Sequence, residues 1–197
     1  NFYIVNIRII YSLFVFTIAF SAKPGFIVGF GAGLHSGEYN QELFLGSEYY
    51  STDISSEGLA TDFKIGFALN NALEVYYTSK VAWFSMDNAL GETSNMINGL
   101  AAFGGSIFLN PYKPTVFISG GVGISTWTIW DDPDYSPWTG TGYYVGIGTE
   151  FSKNLRIEAN LISGKPETSE YDYYFNDFLE IFMEAAVMKV SFNYMLY

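Results

Sequence analysis

Large apolar side chains alternate with small or charged ones through most of this sequence, with a period of two. The stretch 59–69, LATDFKIGFAL, shows the pattern clearly: its odd positions are mostly large and apolar, and its even positions are alanine, glycine, Asp62 and Lys64. A period of two is that of a β-strand with two unlike faces. No segment shows a convincing 3.6-residue helical stripe. The sequence therefore predicts an all-β fold.

Eight segments of this kind follow residue 24. The predicted strands are Gly25–His35, Gly58–Leu69, Leu73–Phe84, Ile97–Leu109, Thr115–Ile129, Thr141–Phe151, Leu155–Ser163 and Ala185–Tyr197. The connectors after the odd-numbered strands, at about 36–57, 85–96, 130–140 and 164–184, are long and polar, whereas the others are turns of a few residues. This arrangement predicts an eight-stranded antiparallel up-and-down β-barrel.

The polar face of these strands holds equal numbers of acids and bases, and most of the strand glycines. The charged residues are Asp62, Lys64, Glu74, Lys80, Glu150, Arg156, Glu158 and Lys189. The glycines include Gly29, Gly31, Gly33, Gly66, Gly121, Gly123, Gly146 and Gly148. Glycine suits the crowded concave wall of a small closed barrel, and charges enclosed there must be paired. We therefore expect these eight charged residues to form a network inside the barrel.

The opposite face is predicted to meet lipid. In the second, third, sixth and seventh predicted strands it carries no Asp, Glu, Lys, Arg or His, and a charge at mid-bilayer on a barrel wall costs about 2–4 kcal/mol. Aromatic residues near the strand ends suit two interfacial girdles: Tyr77, Trp83, Trp127, Tyr143, Phe151 and Tyr194. The sequence therefore predicts a transmembrane barrel. The alternative is a soluble exported barrel, lipocalin-like, whose apolar face lines a core that binds an apolar ligand.

Composition excludes several classes of function. The net charge is −11, and no basic stripe is present to neutralise phosphates, so nucleic acid is not expected as a partner. The sequence contains no cysteine, which excludes disulfide frameworks and thiolate metal sites. No cofactor is expected.

The N-terminal segment is predicted to be an export signal. Arg8 precedes the apolar run Ile9–Phe20, and Ala19-Phe20-Ser21 offers the small-x-small pattern of a signal-peptidase site. We therefore expect residues 1–22 to be a cleaved signal peptide and residues 23–197 to form a single barrel domain.

Several segments resemble the small outer-membrane β-barrels of Gram-negative bacteria, the OmpA/OmpX-like group. They are the glycine-alternating strands GFIVGFGAGL and YYVGIGTEF, the turn LNNALEV and the final strand VMKVSFNYMLY. The resemblance implies an outer-membrane location, with membrane lipid, lipopolysaccharide and the barrel-assembly machinery as partners. Proteins of this group end in an aromatic residue, as here with Tyr197, although the strand register turns Tyr197 to the inward face.

The long connectors carry most of the acidic residues and a single base, Lys165. These acids are Glu38, Glu42, Glu48, Asp53, Glu57, Asp87, Glu92, Asp131, Asp132, Asp134, Glu167, Glu170, Asp172, Asp177, Glu180 and Glu184. In proteins of this kind the long loops lie outside the cell. We therefore expect an acidic, tyrosine-rich outer rim with a structural or surface-interaction role, through a partner that the sequence does not name.

Two patterns invite a chemical interpretation. His35 and Ser36 lie at the loop end of the first strand, as a lipid-modifying enzyme of the outer membrane would require, but adjacent strand residues point to opposite faces. Asp131, Asp132 and Asp134 could supply oxygens to a divalent cation, yet they lack the spacing of a known calcium loop. We expect a solvated acidic loop and a protein that is not an enzyme.

Overall fold

The computed structural model describes residues 24–45, 48–87, 93–110, 114–132, 136–152, 154–172 and 177–197. Its strands are β1 (Gly25–Leu45), β2 (Glu48–Asn70), β3 (Leu73–Asp87), β4 (Thr93–Phe108), β5 (Thr115–Ile129), β6 (Trp138–Glu150), β7 (Leu155–Asp172) and β8 (Asp177–Leu196). The predicted signal peptide lies outside these ranges and stays a prediction.

The eight strands form a closed antiparallel barrel. Each strand pairs with its neighbours in sequence, and β1 closes the ring by pairing with β8 from Val28↔Leu196 to Leu45↔Leu179. The predicted all-β up-and-down barrel is thus confirmed. Among the described residues, no helix is long and apolar enough to cross a membrane.

Apolar side chains cover the outside of the barrel. Phe103 is 76% exposed and Val122 is 69% exposed, and each lies between less exposed neighbours on its strand. Lys64 and Glu158, by contrast, are 1% and 0% exposed. This is the reverse of a soluble barrel, whose apolar side chains fill the centre, so the wall is built to be covered by hydrocarbon rather than by water.

The inward glycines allow neighbouring strands to bend closely around the interior. A Cβ atom added at Gly33 would lie 1.9 Å from the carbonyl oxygen of Val190, and one at Gly123 would lie 2.0 Å from that of Ala101. Since a real side chain cannot approach backbone so closely, these positions need glycine for the curvature of a small barrel.

The first and last hairpins are much longer than the sequence indicated. Most of the connector predicted at 36–57 belongs to β1 and β2, and most of the connector at 164–184 belongs to β7 and β8. Their polarity suggested loops, but the alternating pattern of paired side chains continues beyond the apolar band. The result is a four-stranded extension, here called the protruding sheet, formed by residues 38–45, 48–55, 167–172 and 177–186.

Trp127 corrects the predicted aromatic girdle. Its side chain is buried inside the barrel, not at the lipid interface. The register explains this, because Trp127 shares its face of β5 with the inward residues Phe117, Ser119 and Ser125. The inward glycines at 121 and 123 already implied the same parity.

Candidate functional site

The end of the barrel with the tight turns contains a buried ionic cluster, here called the lower charge cluster, formed by Glu74, Glu150, Arg156 and Tyr197. Arg156 donates from Nη1 to Glu74 Oε2 at 2.8 Å and from Nη2 to Glu74 Oε1 at 2.7 Å. Its Nη2 also lies 3.4 Å from Glu150 Oε1. Tyr197 donates to the same Glu150 oxygen at 2.9 Å. Planar guanidinium geometry suits this two-point contact.

Aromatic rings enclose the guanidinium group of Arg156. The rings of Phe108, Phe117 and Tyr197 have their centroids 4.9, 5.4 and 5.4 Å from Arg156 Cζ. A cation over aromatic faces gains electrostatic attraction while it remains out of water. Arg156 therefore contacts both the buried carboxylates and the aromatic rings that pack at this end of the barrel.

A second ionic group, here called the central charge cluster, lies further along the barrel and contains Asp62, Lys64, Lys80, Glu158 and Lys189. Lys189 Nζ donates to Asp62 Oδ1 at 2.7 Å, and Lys64 forms an ion pair with Glu158. Lys80 Nζ lies between the two acids, 3.5 Å from Asp62 Oδ1 and 3.6 Å from Glu158 Oε1. Lys80 thereby links the two pairs into one chain of charges.

Polar neighbours bind the remaining oxygens of the central charge cluster. Ser191 donates to Asp62 Oδ2 at 2.6 Å, and Ser119 donates to Glu158 Oε1 at 2.7 Å. Lys189 also donates to the carbonyl oxygen of Thr61 at 2.8 Å. Each buried carboxylate thus has both a lysine and a hydroxyl donor, which is the arrangement that buried ions need.

Two tyrosines fill the space around the lysines. The Tyr144 hydroxyl donates to that of Tyr76 at 3.1 Å, and Tyr76 is hydrogen-bonded to Ser106 at 2.8 Å. Lys64 Nζ is 5.0 Å from the centroid of the Tyr76 ring, and Lys80 Nζ is 4.6 Å from that of Tyr144. Both tyrosine side chains are buried and occupy interior volume beside the lysines.

Towards the long hairpins, the interior changes from charged to aromatic. Tyr39 stacks on Phe84 with centroids 5.3 Å apart, and Trp127 is 4.9 Å from Tyr39 and 5.5 Å from Phe84. These three residues are called the aromatic layer here. Above it, Met96, Trp138 and other largely apolar residues line a cavity of about 190 Å³.

His35 lies beneath this layer and Ser36 lies outside the barrel. His35 is buried, with Nε2 3.3 Å from the carbonyl oxygen of Trp83, and its ring meets Phe84 edge to face. Ser36 is exposed on the opposite face of β1. The two side chains are therefore separated by the barrel wall, as expected, and do not form a catalytic pair.

The acidic segment after β5 shows no metal-binding arrangement in the part that the structure describes. Asp131 Oδ2 accepts a hydrogen bond from Asn95 at 2.9 Å, and both Asp131 and Asp132 are exposed. Asp134 lies outside the described residues. Within those residues, no group of three or more His, Cys, Asp or Glu side chains is placed to hold a metal ion.

The outer face of the protruding sheet combines aromatic and acidic side chains. Phe44 contacts Tyr49 and Phe182 with centroids 5.0 and 5.8 Å apart, and Tyr49 donates to Glu42 at 3.0 Å. Lower on the same face, Lys165 pairs with Glu184. The hydrogen bond and charge of Glu184 raise the pKa of Lys165 above its ordinary value.

The structure places all eight predicted network residues inside the barrel, in two clusters rather than one. Sequence reasoning missed the hydroxyl partners Ser119 and Ser191, and the hydrogen bonds that Tyr197 donates to Glu74 and Glu150. The two-residue alternation does place all three side chains on the inward face. Their contacts were not predictable, because each joins strands that are far apart along the chain.

Comparison with known proteins depends on structure, since no protein-family model and no curated protein sequence matches the chain. The chain is similar to the outer membrane protein OprG from Pseudomonas aeruginosa, with a TM-score of 0.56, 10% identity, and coverage of 90% of this chain and 99% of that one. This likeness supports the shared fold.

Two further solved structures are more distantly similar. The outer membrane protein AlkL, solved in DMPC lipid bilayers, gives a TM-score of 0.49 with 13% identity, and covers 88% of this chain and 90% of its own. The attachment invasion locus protein Ail of Yersinia pestis gives 0.46 with 14% identity, and covers 84% and 98%. With its ring of eight strands, its apolar exterior and the likeness to OprG, the chain has the fold of the small eight-stranded outer-membrane β-barrels.

Proposed function

We propose that this protein is a sealed outer-membrane barrel whose role is structural or surface-interactive, exercised through its acidic, tyrosine-rich extracellular hairpins. The observation that carries the proposal is the filling of the interior. Two charge clusters and an aromatic layer succeed one another along the barrel axis, and their side chains are almost fully buried. An eight-stranded barrel has an interior about wide enough for its own side chains.

The mutual pairing of the charges supports a plug more than a channel lining. A water-filled pore leaves its ions solvated and separate, whereas here Arg156 binds Glu74 at two points and Lys80 bridges Asp62 and Glu158. Opening a path would require breaking several such contacts together. A barrel of this kind is stabilised by its interior instead of conducting through it.

Planar-bilayer recording of the refolded protein tests this proposal. We expect no steady conductance steps, because paired and almost fully buried side chains occupy both charge clusters. Removal of three interior side chains by Lys80→Ala, Tyr76→Ala and Tyr144→Ala should still give no steady steps, because the lower charge cluster and the aromatic layer remain in place. Steady opening of the unaltered protein would contradict the sealed interior.

The protruding sheet supports the surface-interaction part of the proposal. Residues 48–58 of β2 pair with β1 but, among the described residues, have no β3 partner, since β2–β3 pairing begins at Leu59↔Trp83. The sheet therefore offers a free edge and an exposed aromatic patch formed by Phe44, Tyr49 and Phe182. Such surfaces are typical contact sites for an extracellular partner.

The protruding sheet should be dispensable for barrel stability. Replacing residues 41–52 with a short Asn-Gly turn should change the unfolding free energy of the barrel by no more than about 1 kcal/mol, because both interior clusters lie below it. Urea titration of refolded protein in lipid vesicles measures this. Loss of the folded barrel on trimming would assign the sheet a structural role instead of a binding role.

The same architecture supports membrane lipid and lipopolysaccharide as proposed partners. The exposed apolar band fits a lipid surface, and lipopolysaccharide is the neighbour proposed for its outer side. The barrel-assembly machinery is a further proposed partner, supported by the outward aromatic residues Phe192 and Tyr194 of the final strand. Tyr197 itself is buried against Glu74 and Glu150, so recognition through it would have to precede barrel closure.

A further inference from the structure

The cavity above the aromatic layer, here called the mouth cavity, has a volume of about 190 Å³. None of the nine described residues that line it has an ionisable side chain, and only Gln41 and Ser94 among them carry an amide or hydroxyl group. A charged molecule would lose its hydration there without gaining a partner of opposite charge. The lining therefore favours an uncharged occupant.

The unequal lengths of the strands explain why a cavity forms at this place. Strands β3 to β6 begin or end near the mouth, whereas β1, β2, β7 and β8 continue into the protruding sheet. The inward face of that sheet contributes Gln41, Ile54 and Met183 to one side of the cavity. Trp127 is almost fully buried, whereas Ile54 and Ile129 are only partly buried, so the cavity is reached from the outer side.

Two indole rings form a continuous aromatic part of the wall. Trp127 and Trp138 face each other directly across the β5–β6 ladder, and both side chains are buried and line the mouth cavity. Residues paired in this way have Cβ atoms about 4.5–5.5 Å apart, so their side chains contact one another. An aromatic molecule packs on such a surface in an offset or edge-to-face arrangement, with a gain beyond simple burial.

Three of the five methionines of the chain line the same cavity, namely Met86, Met96 and Met183. Their side chains come from β3, β4 and β8, so thioether groups approach from different sides. Thioether sulfur makes favourable contacts with the edges of aromatic rings, and the unbranched side chain adapts to the shape of what it contacts. The methionines and the indoles together favour an aromatic ring over a saturated one.

The size of the mouth cavity limits the occupant to one or two rings. An engineered apolar cavity of about 150 Å³ in another protein stays dry and binds benzene, and the mouth cavity is slightly larger. Water is a poor occupant, because it needs two to four polar partners. Gln41 and Ser94 suit a single hydroxyl or N–H group on an otherwise apolar ring.

We propose that the mouth cavity binds a small uncharged aromatic molecule of the phenol or indole type, with its ring against Trp127 and Trp138 and its polar group towards Gln41 and Ser94. This site goes beyond the proposed surface role. It needs no opening of the interior, because the aromatic layer closes the barrel below it.

Calorimetric titration of the refolded barrel in lipid nanodiscs, with empty nanodiscs subtracted, tests this site. Phenol should bind saturably with one molecule per barrel. Cyclohexanol, which has the same ring size and hydroxyl group but no aromatic face, should bind about fivefold more weakly. The phenyltrimethylammonium ion should show no saturable binding, since the lining offers its charge no partner.

Matched variants locate the binding. Ser94→Phe should fill the mouth cavity and abolish saturable phenol binding, whereas Ser51→Phe, on the outer face of the protruding sheet, should keep it. Trp138→Leu should bring phenol and cyclohexanol to about equal affinity, whereas Trp130→Leu, at an exposed tryptophan outside the cavity, should not.

The comparison of the three ligands uses the unaltered protein, so it decides the proposal even if a variant does not fold. Absence of saturable phenol binding, equal affinity for phenol and cyclohexanol, or saturable binding of the phenyltrimethylammonium ion would each overturn it. Phenol binding that persists in folded Ser94→Phe protein would do the same, because the ring would then lie elsewhere.

Discussion

Replacing Arg156 with methionine should destabilise the barrel more than any other single change to a charged side chain. The substitution keeps much of the side-chain volume but removes the only cation that contacts both Glu74 and Glu150 among the described residues. Both acids would then remain buried, each hydrogen-bonded to Tyr197 but without the cation that Arg156 supplies. Breaking a buried ion pair from one side costs about 3–5 kcal/mol.

Urea unfolding in lipid vesicles, followed by tryptophan fluorescence, measures this loss. Lys165→Gln is the matched control, since it removes one partner of an exposed pair with Glu184 and should cost no more than about 1 kcal/mol. Adding Glu74→Gln to Arg156→Met should recover part of the stability, because it removes one of the two buried negative charges that Arg156 contacted. If Arg156→Met behaved like Lys165→Gln, the lower charge cluster would not be a buried network.

Placing an arginine at Ile147 should have the second largest effect. Ile147 projects from the outside of β6, about midway between Phe151 at one end of the apolar band and Tyr143 near the other, and all three are exposed. A cation at the bilayer midplane on a barrel wall costs about 2–4 kcal/mol. The same titration should show a loss of this size.

The position along the barrel, and not the added charge itself, should determine the cost. Ser169→Arg places the same side chain on the exposed part of β7 beyond the apolar band, where we expect a change of about 0.5 kcal/mol or less. A loss at Ser169 equal to that at Ile147 would mean that depth in a bilayer plays no part.

The strands of the barrel, and the assignment of one strand face to the interior and the other to the exterior, were predictable from the sequence alone. The two-residue alternation around Asp62 and Lys64 predicted the strands, and the balance of acids and bases on one face predicted which face is enclosed. The first inference is local to each strand, and the second needs only the parity of the charged residues, added up over several strands. Even Tyr197, at the end of the chain, was placed on its correct face by parity.

Other features depend on distances that the pattern does not contain. The division of the charges into two clusters reflects which strands meet across the interior, as when Arg156 of β7 reaches Glu74 of β3. The length of the protruding sheet was underestimated, because its polar residues have the composition of a loop although they pair as strands. Trp127 was misplaced by weighing its residue type above its parity.

The interrupted ladder between β7 and β8 shows a different kind of limit. Pro166 was visible in the sequence within a segment predicted to be a connector, so no ladder was expected there. The structure makes that segment part of a strand and leaves Lys165 and Pro166 without β8 partners. This interruption could be recognised only once the fold was known.

The sidedness of the wall is tested most directly by nitroxide labels at single introduced cysteines, which the cysteine-free sequence permits. Labels replacing Phe103 and Ile147 in the refolded, membrane-inserted protein should collide frequently with oxygen dissolved in the bilayer and rarely with a water-soluble nickel reagent. A label replacing Ser51, on the protruding sheet, should show the reverse. Labels at Phe103 and Ile147 that are shielded from both reagents, or open to nickel, would contradict the outward, lipid-facing apolar wall.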